Sequence, residues 1–191
     1  MERKAAISRT TKETDISLKL NIDGKGKEKI QIEPGFWKHM IELFTFFSGF
    51  DIELKAKGDD QHHLLEDIGI CFGQAFTKAI GEKKGIKRFG NILLPMDETL
   101  VRIALDISGR PYLSFNVDIE RSKEEYSYLE NAQEFVKGFV NHAGITMHID
   151  LIRGENLHHI IEGIFKGLGI SIKQSVKLSG EKITSTKGKI D

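Results

Sequence analysis

Disulfides, membrane spans and nucleotide-binding loops are all missing from this 191-residue chain, and each absence narrows its chemistry. Cys71 is the single cysteine and sits in an apolar, helix-like segment, so no intrachain disulfide can form and thiolate ligation of a metal is not expected. Any metal must then be held by nitrogen and oxygen. No run of about eighteen apolar residues occurs, and Met1-Glu2-Arg3-Lys4-Ala5-Ala6 lacks the apolar core of a signal peptide, which leads to the expectation of a soluble, cytoplasmic protein. The 28 basic residues are balanced by 28 acidic ones, so charge gives no reason to expect nucleic acid or a membrane as partner. No Gly-x-Gly-x-x-Gly follows the first strand and no Walker-type loop is found, which argues against a doubly wound nucleotide-binding fold.

What the chain does contain is one pattern twice. His62-His63-Leu64-Leu65-Glu66 and His158-His159-Ile160-Ile161-Glu162 hold four of the seven histidines. On a helix, residues three and four apart share a face, so Glu66 lies one turn from His62 and His63, and Glu162 one turn from His158 and His159. Adjacent imidazoles diverge by roughly 100° around the helix, so each pair can serve two different ions. The surroundings match as well: Gly73 and Gly169 follow at equal distance, and an alternating run precedes each block. A strand, a short polar turn and a metal-bearing helix therefore occur twice, as in a duplication within one fold.

Periodicity organises the remainder. Lys12 to Ile22 and Lys29 to Ile32 alternate as strands, Pro34-Gly35 opens a helix ending at Ser48-Gly49, and a strand runs from Phe50 to Lys57. The first metal helix is expected from Gln61 to Ile80, with strands at Ile86 to Leu94, Leu100 to Ile107 and Pro111 to Ile119. A charged stretch, Glu120 to Glu125, divides the halves before a helix from Leu129 to Ala143, a strand through Ile152 and the second metal helix from Leu157 to Val176. This predicts an α+β fold of two duplicated β-sheet/helix repeats, residues 1–96 and 97–191, with helices packed on one face of each sheet in one compact unit. The tail from Leu178 to Asp191 is rich in Lys, Ser, Thr and Gly, a composition that suits a disordered end.

Imidazole and carboxylate together suit manganese, iron, cobalt or zinc. His39 and His148 are two further candidate ligands, the latter in a strand on the opposite face from Met147 and Ile149, while His142 reads as structural. Arg88, Arg110, Lys166 and Ser185-Thr186-Lys187-Gly188 are ordinary surface residues singly, but together they offer the donors that clamp a phosphate.

These residues also carry a resemblance. His62 to Asp67, Arg88-Phe89-Gly90, Pro95-Met96-Asp97-Glu98, Leu105 to Pro111, His148 through Glu162 to Phe165-Lys166, and Ser185 to Gly188 occur in the order that resembles the imidazoleglycerol-phosphate dehydratase family of histidine biosynthesis. The likeness spans nearly the whole chain. It implies a duplicated α+β fold, two manganese ions per active site, and a homo-oligomer of 24 subunits with sites at subunit interfaces. It implies His39, His62, His63, Glu66, His148, His158, His159 and Glu162 as metal ligands, and Glu13 as an acid/base residue. Arg88, Arg110, Lys166, Ser185 and Lys187 would hold the substrate phosphate, with Asp97 or Asp106 near the substrate or supporting the ligands. The chain departs from the family pattern at Lys38 and Phe47, where an aspartate and a second histidine are usual, and in a shorter loop before His62. Two other readings use the same ligands: a two-metal phosphate-ester hydrolase, and a relative in which metals drive assembly with little catalysis.

Overall fold

The computed structural model describes residues 2–119 and 123–190, and for 123–126 the backbone only. The first repeat runs β1 (Lys4–Thr10), β2 (Thr14–Asn21), β3 (Glu28–Gln31), α1 (Gly35–Ser48), β4 (Asp51–Gly58) and α2 (Gln61–Ile80). The second has the same order: β5 (Phe89–Met96), β6 (Thr99–Asp106), β7 (Tyr112–Asn116), α3 (Lys123–Ala143), β8 (Thr146–Arg153) and α4 (Leu157–Val176). Each forms a four-stranded sheet, β1-β2-β4-β3 and β5-β6-β8-β7. Among the described residues only β3–β4 and β7–β8 are parallel, and α1 and α3 supply their crossovers.

Alternation explains why one face of each sheet is covered. In β2, Thr14, Ile16, Leu18 and Leu20 are buried while Asp15, Ser17 and Lys19 face out; in β6, Thr99, Val101, Ile103 and Leu105 are buried. The helices lie between the two sheets, α1 packing on α4 and α2 on α3. Close approach there requires small residues. A Cβ on Gly73 would lie 2.7 Å from the Phe139 carbonyl oxygen of α3, and one on Gly169 would lie 2.9 Å from the Phe44 carbonyl oxygen of α1. The repeated glycines noted in the sequence are thus two copies of one helix contact.

Both histidine-pair helices, α2 and α4, have the bounds expected of them. Four other expectations change. Strand β1 went unrecognised because its side chains are alternately half-buried and exposed, so its pattern is weakly apolar. The helix expected from Leu129 begins at Lys123, because its first turn is rich in charge, which reads in the sequence as a break; residues 120–122 of the expected dividing stretch lie outside the described residues. Strand β5 pairs with β6, so the repeats meet between α2 and β5 and not at residue 97. The C-terminal tail is not loose. Lys87 N–H donates to the Lys177 carbonyl at 2.9 Å, Ser179 N–H to Gly85 at 2.8 Å and Gly85 N–H to Lys182 at 3.0 Å, which binds the tail to the segment leading into β5.

Candidate metal centre and anion pocket

The two histidine pairs are built alike. Asp60 and Asn156 cap α2 and α4, accepting from the backbone N–H of His63 (2.8 Å) and His158 (2.9 Å), which fixes the first turn of each helix. The rings of His62 and His63 have centroids 5.9 Å apart at 79°, and those of His158 and His159 lie 6.3 Å apart at 80°. One imidazole of each pair is held through Nδ1 by a carboxylate: His63 by Asp59 at 3.0 Å and His159 by Glu98 at 2.9 Å. A histidine steered in this way presents Nε2 to a cation, the usual arrangement around a bound metal. These hydrogen bonds raise the pKa of both rings, Asp59 acting first on His63 and Glu98 first on His159. Asp59 and Glu98 were not foreseen as site residues. A carboxylate just before or opposite the histidine in a tight turn was the available signal.

Glu162 is the centre of the second cluster. Its Oε1 lies 2.9 Å from His39 Nε2 and 3.3 Å from His158 Nε2, and its Oε2 accepts from Lys166 Nζ at 2.7 Å. Burial pulls this carboxyl up, but Lys166 and His39 outweigh burial and hold its pKa below the ordinary value. His39 comes from α1 and the other three residues from α4, so the cluster bridges the repeats. Phe36 sets its ring edge against His158, 5.5 Å between centroids, and limits where that imidazole can turn. Lys166 is therefore placed beside the metal-type cluster.

The other predicted residues fall elsewhere. Glu66 is half-buried on α2. Glu13 sits in the turn joining β1 to β2, close enough to His63 to act on its charge. Asp97 occupies the equivalent turn at φ 49°, its carboxylate 4.0 Å from His159 Nδ1. His148 projects from the outer face of the second sheet, 5.6 Å from the Tyr112 ring, because its neighbours Met147 and Ile149 are the buried ones.

Of the residues expected to clamp a phosphate, Arg88, Arg110, Ser185 and Lys187 converge, and Lys166 does not, because its Nζ is drawn to Glu162 on the preceding turn of α4. Arg88, Ser108, Arg110, Ser185, Thr186 and Lys187 are among those lining a pocket of about 520 Å³. Arg88 adopts φ 74° and makes a fork to Asp106, Nε to Oδ1 at 2.6 Å and Nη2 to Oδ2 at 2.9 Å, while Nη1 donates to the Thr184 carbonyl at 2.8 Å. Asp106 thus fixes the guanidinium of the pocket wall. Arg88 N–H also donates to the Ser175 carbonyl near the end of α4. The pocket and His158 consequently lie at opposite ends of one helix, roughly 25 Å apart at 1.5 Å per residue.

Comparison with known proteins decides the family. The family model described as imidazoleglycerol-phosphate dehydratase matches residues 33–172. This chain belongs to the imidazoleglycerol-phosphate dehydratase family. Members named imidazoleglycerol-phosphate dehydratase include that of Caldicellulosiruptor bescii, 48% identical over 190 residues and 98% of each chain, and that of Citrifermentans bemidjiense, 47% identical over the full length of both. Among solved structures, IGPD from Pyrococcus furiosus superposes with a TM-score of 0.85 at 40% identity, covering 95% of this chain and 99% of that one. The Staphylococcus aureus enzyme gives 0.83 at 41%, covering 92% and 99%. The family's enzymes are hydro-lyases of histidine biosynthesis.

The donor set in this chain fits a divalent transition metal. Among the described residues, Asp59, Asp60 and His63 bring one ligand atom each within 4.8 Å of one another. Asp60 is engaged in capping α2 and Asp59 in holding His63 Nδ1, so both act here as orienting groups around the imidazole. His39 and His158 meet through Glu162. Among the described residues no helix is long and apolar enough to cross a membrane.

Proposed function

We propose that this chain dehydrates imidazole glycerol phosphate to imidazole acetol phosphate, with two manganese ions per site held by His39, His62, His63, Glu66, His148, His158, His159 and Glu162. The observation that carries the reading is the pairing of two carboxylate-steered histidine pairs with a separate Arg88/Arg110 anion pocket on one family scaffold. The hydrogen removed from the glycerol carbon has no carbonyl beside it, so enolate chemistry cannot begin the elimination. A metal supplies the means to carry negative charge on the substrate imidazole at neutral pH. Glu13 moves the proton at the glycerol carbon, Arg88, Arg110, Ser185 and Lys187 anchor the phosphate, and Lys166 and Asp97 stand beside the imidazole end.

The 25 Å span along α4 supports sites shared between subunits. A substrate of this size cannot reach from His158 to Arg88 of the same chain. His148 lies near the pocket end, since Thr146 of the same strand donates to the Arg110 carbonyl at 3.1 Å, and it faces away from α4. One subunit would then give His148 and the anion pocket, and others the histidine helices, within the 24-subunit particle that family likeness suggests.

Purified protein assayed with and without manganese should release ketone product and no inorganic phosphate; phosphate release would establish a hydrolase instead. Glu13→Gln should cut turnover by about 10²-fold to 10⁴-fold with metal content and particle size retained. Retained turnover would remove Glu13 from the reaction.

A further inference from the structure

The turn that presents Glu13 is held from beneath by a buried polar relay. Asp67 Oδ2 accepts from Thr14 Oγ1 at 2.5 Å, with Thr14 4% and Asp67 7% exposed. Arg9 Nε lies 2.8 Å from Asp67 Oδ1, although its N–H is not aligned for a hydrogen bond, so that attraction is Coulombic. Thr14 Oγ1 is also 3.2 Å from Thr11 Oγ1, and Thr11 Oγ1 accepts the backbone N–H of Glu13 at 3.1 Å and of Thr14 at 3.0 Å.

The direction of every proton in this chain of contacts is fixed. A carboxylate only accepts, so the Thr14 hydroxyl donates to Asp67 and must receive its second bond from Thr11. Thr11 has then used its proton on Thr14, which leaves its lone pairs to the two turn amides. The Glu13 carbonyl in turn accepts Asp59 N–H at 2.9 Å, and Asp59 steers His63. A single buried carboxylate on the metal-bearing helix thereby sets both the backbone of Glu13 and its distance from His63.

The second repeat shows that the fold does not require this relay. Strand register places Arg9 opposite Ile16 and Leu94 opposite Val101, so Arg9 corresponds to Leu94 and Thr14 to Thr99, while Asp67 corresponds to Gly163 after the second Glu of the repeated motif. There the space is apolar: a Cβ on Gly163 would lie 3.2 Å from Val101 Cγ2 and 3.8 Å from Leu94 Cδ2. The polar version occurs in the repeat whose turn carries Glu13.

We infer that Asp67 is a positioning residue for the dehydration, acting through Thr14 and Thr11 to hold the Glu13 turn against His63. This rests on the acid/base role given to Glu13 above. Two readouts on the assembled, metal-loaded protein test it. In Thr14→Val, which keeps the volume and removes the relay, amide hydrogen exchange across residues 10–15 should quicken by about tenfold or more, the mark of local opening without global unfolding. Turnover number should fall by about tenfold to a hundredfold with KM little changed, the size expected of a misplaced acid/base group. Thr14→Ser should restore both, and Asp67→Asn should resemble Thr14→Val. Unchanged exchange in Thr14→Val would overturn the relay, and quickened exchange with full turnover would overturn the positioning role. Exchange needs no substrate, so it judges the relay separately from the dehydratase reading, which fails only if wild-type protein forms no ketone.

Discussion

The first two strands of each repeat pair in the same register, position for position, yet the turns between them are used in opposite ways. The match is visible in the backbone: Ile22 N–H donates to the Arg3 carbonyl at 3.0 Å, and Ile107 N–H to the Arg88 carbonyl at 3.1 Å. By the same register Glu13 corresponds to Glu98. Glu98 is tied by its own side chain, accepting from His159 at 2.9 Å, Thr99 Oγ1 at 3.0 Å and Asn156 N–H at 3.1 Å. The His159 bond foremost, with the backbone bonds, takes its pKa to about 2. A carboxyl held there carries no proton at neutral pH and serves to orient an imidazole. Glu13 has its backbone held by Thr11 and its side chain exposed to solvent, the position in which the proposed acid/base role places it. The two repeats thus hold equivalent glutamates in different surroundings, one tied by its side chain and one by its backbone.

The largest way to break this comparison is to move the first repeat's charge into the second. Gly163→Asp should destabilise the protein by about 3–5 kcal/mol in denaturant unfolding, because Leu94 stands where an arginine would be needed. Adding Leu94→Arg should recover part of the loss; no recovery would undo the correspondence of Arg9 with Leu94. At the proposed metal site, Glu98→Gln should weaken manganese binding by about tenfold to a hundredfold in calorimetric titration. Asp59→Asn should cost less, because Asp60 Oδ2 also stands 3.3 Å from His63 Nδ1, and equal losses would erase the distinction between the two turns.

The smallest effect lies at the start of β4. Asp51 accepts from the Lys25 and Lys27 backbone at 2.8 and 3.0 Å, and these bonds, the Lys25 one foremost, hold its pKa below the ordinary aspartate value in spite of burial. Its contribution is therefore present above the ordinary aspartate range and lost as pH falls through the lower folded-state value. Asp51→Ala should cost about 1 kcal/mol at neutral pH and nothing in strong acid, measured by unfolding across that range. The corresponding residue of β8 is Thr146, so Thr146→Val should show no such acid dependence.

The legible parts of the molecule were those governed by period. Helices α2 and α4 could be read to the residue, since each begins at a capping side chain and keeps an apolar stripe to its end. The histidine pairs were equally plain, and Arg88, Arg110, Ser185 and Lys187 line one pocket as grouped, whereas Lys166, grouped with them by charge alone, stands on Glu162 at the other end of α4. Glu98 and Asp67 were not, because their meaning lies in register: Glu13 and Glu98 match only when strands are aligned by their pairing, at a spacing different from that of the histidine pairs. The order of the tail was not legible, because composition reports solubility and cannot show that Lys177 to Thr184 bonds with the segment before β5.

The contact between the repeats, α1 on α4 and α2 on α3, is isologous in the manner of a twofold dimer: each half offers the other the same pair of surfaces. A half released from its partner would turn that apolar helical surface to water. Neither half has a reason to persist alone, so melting should pass through a single transition, and the linker between α2 and β5 joins what geometry describes as two molecules of one ancestral kind.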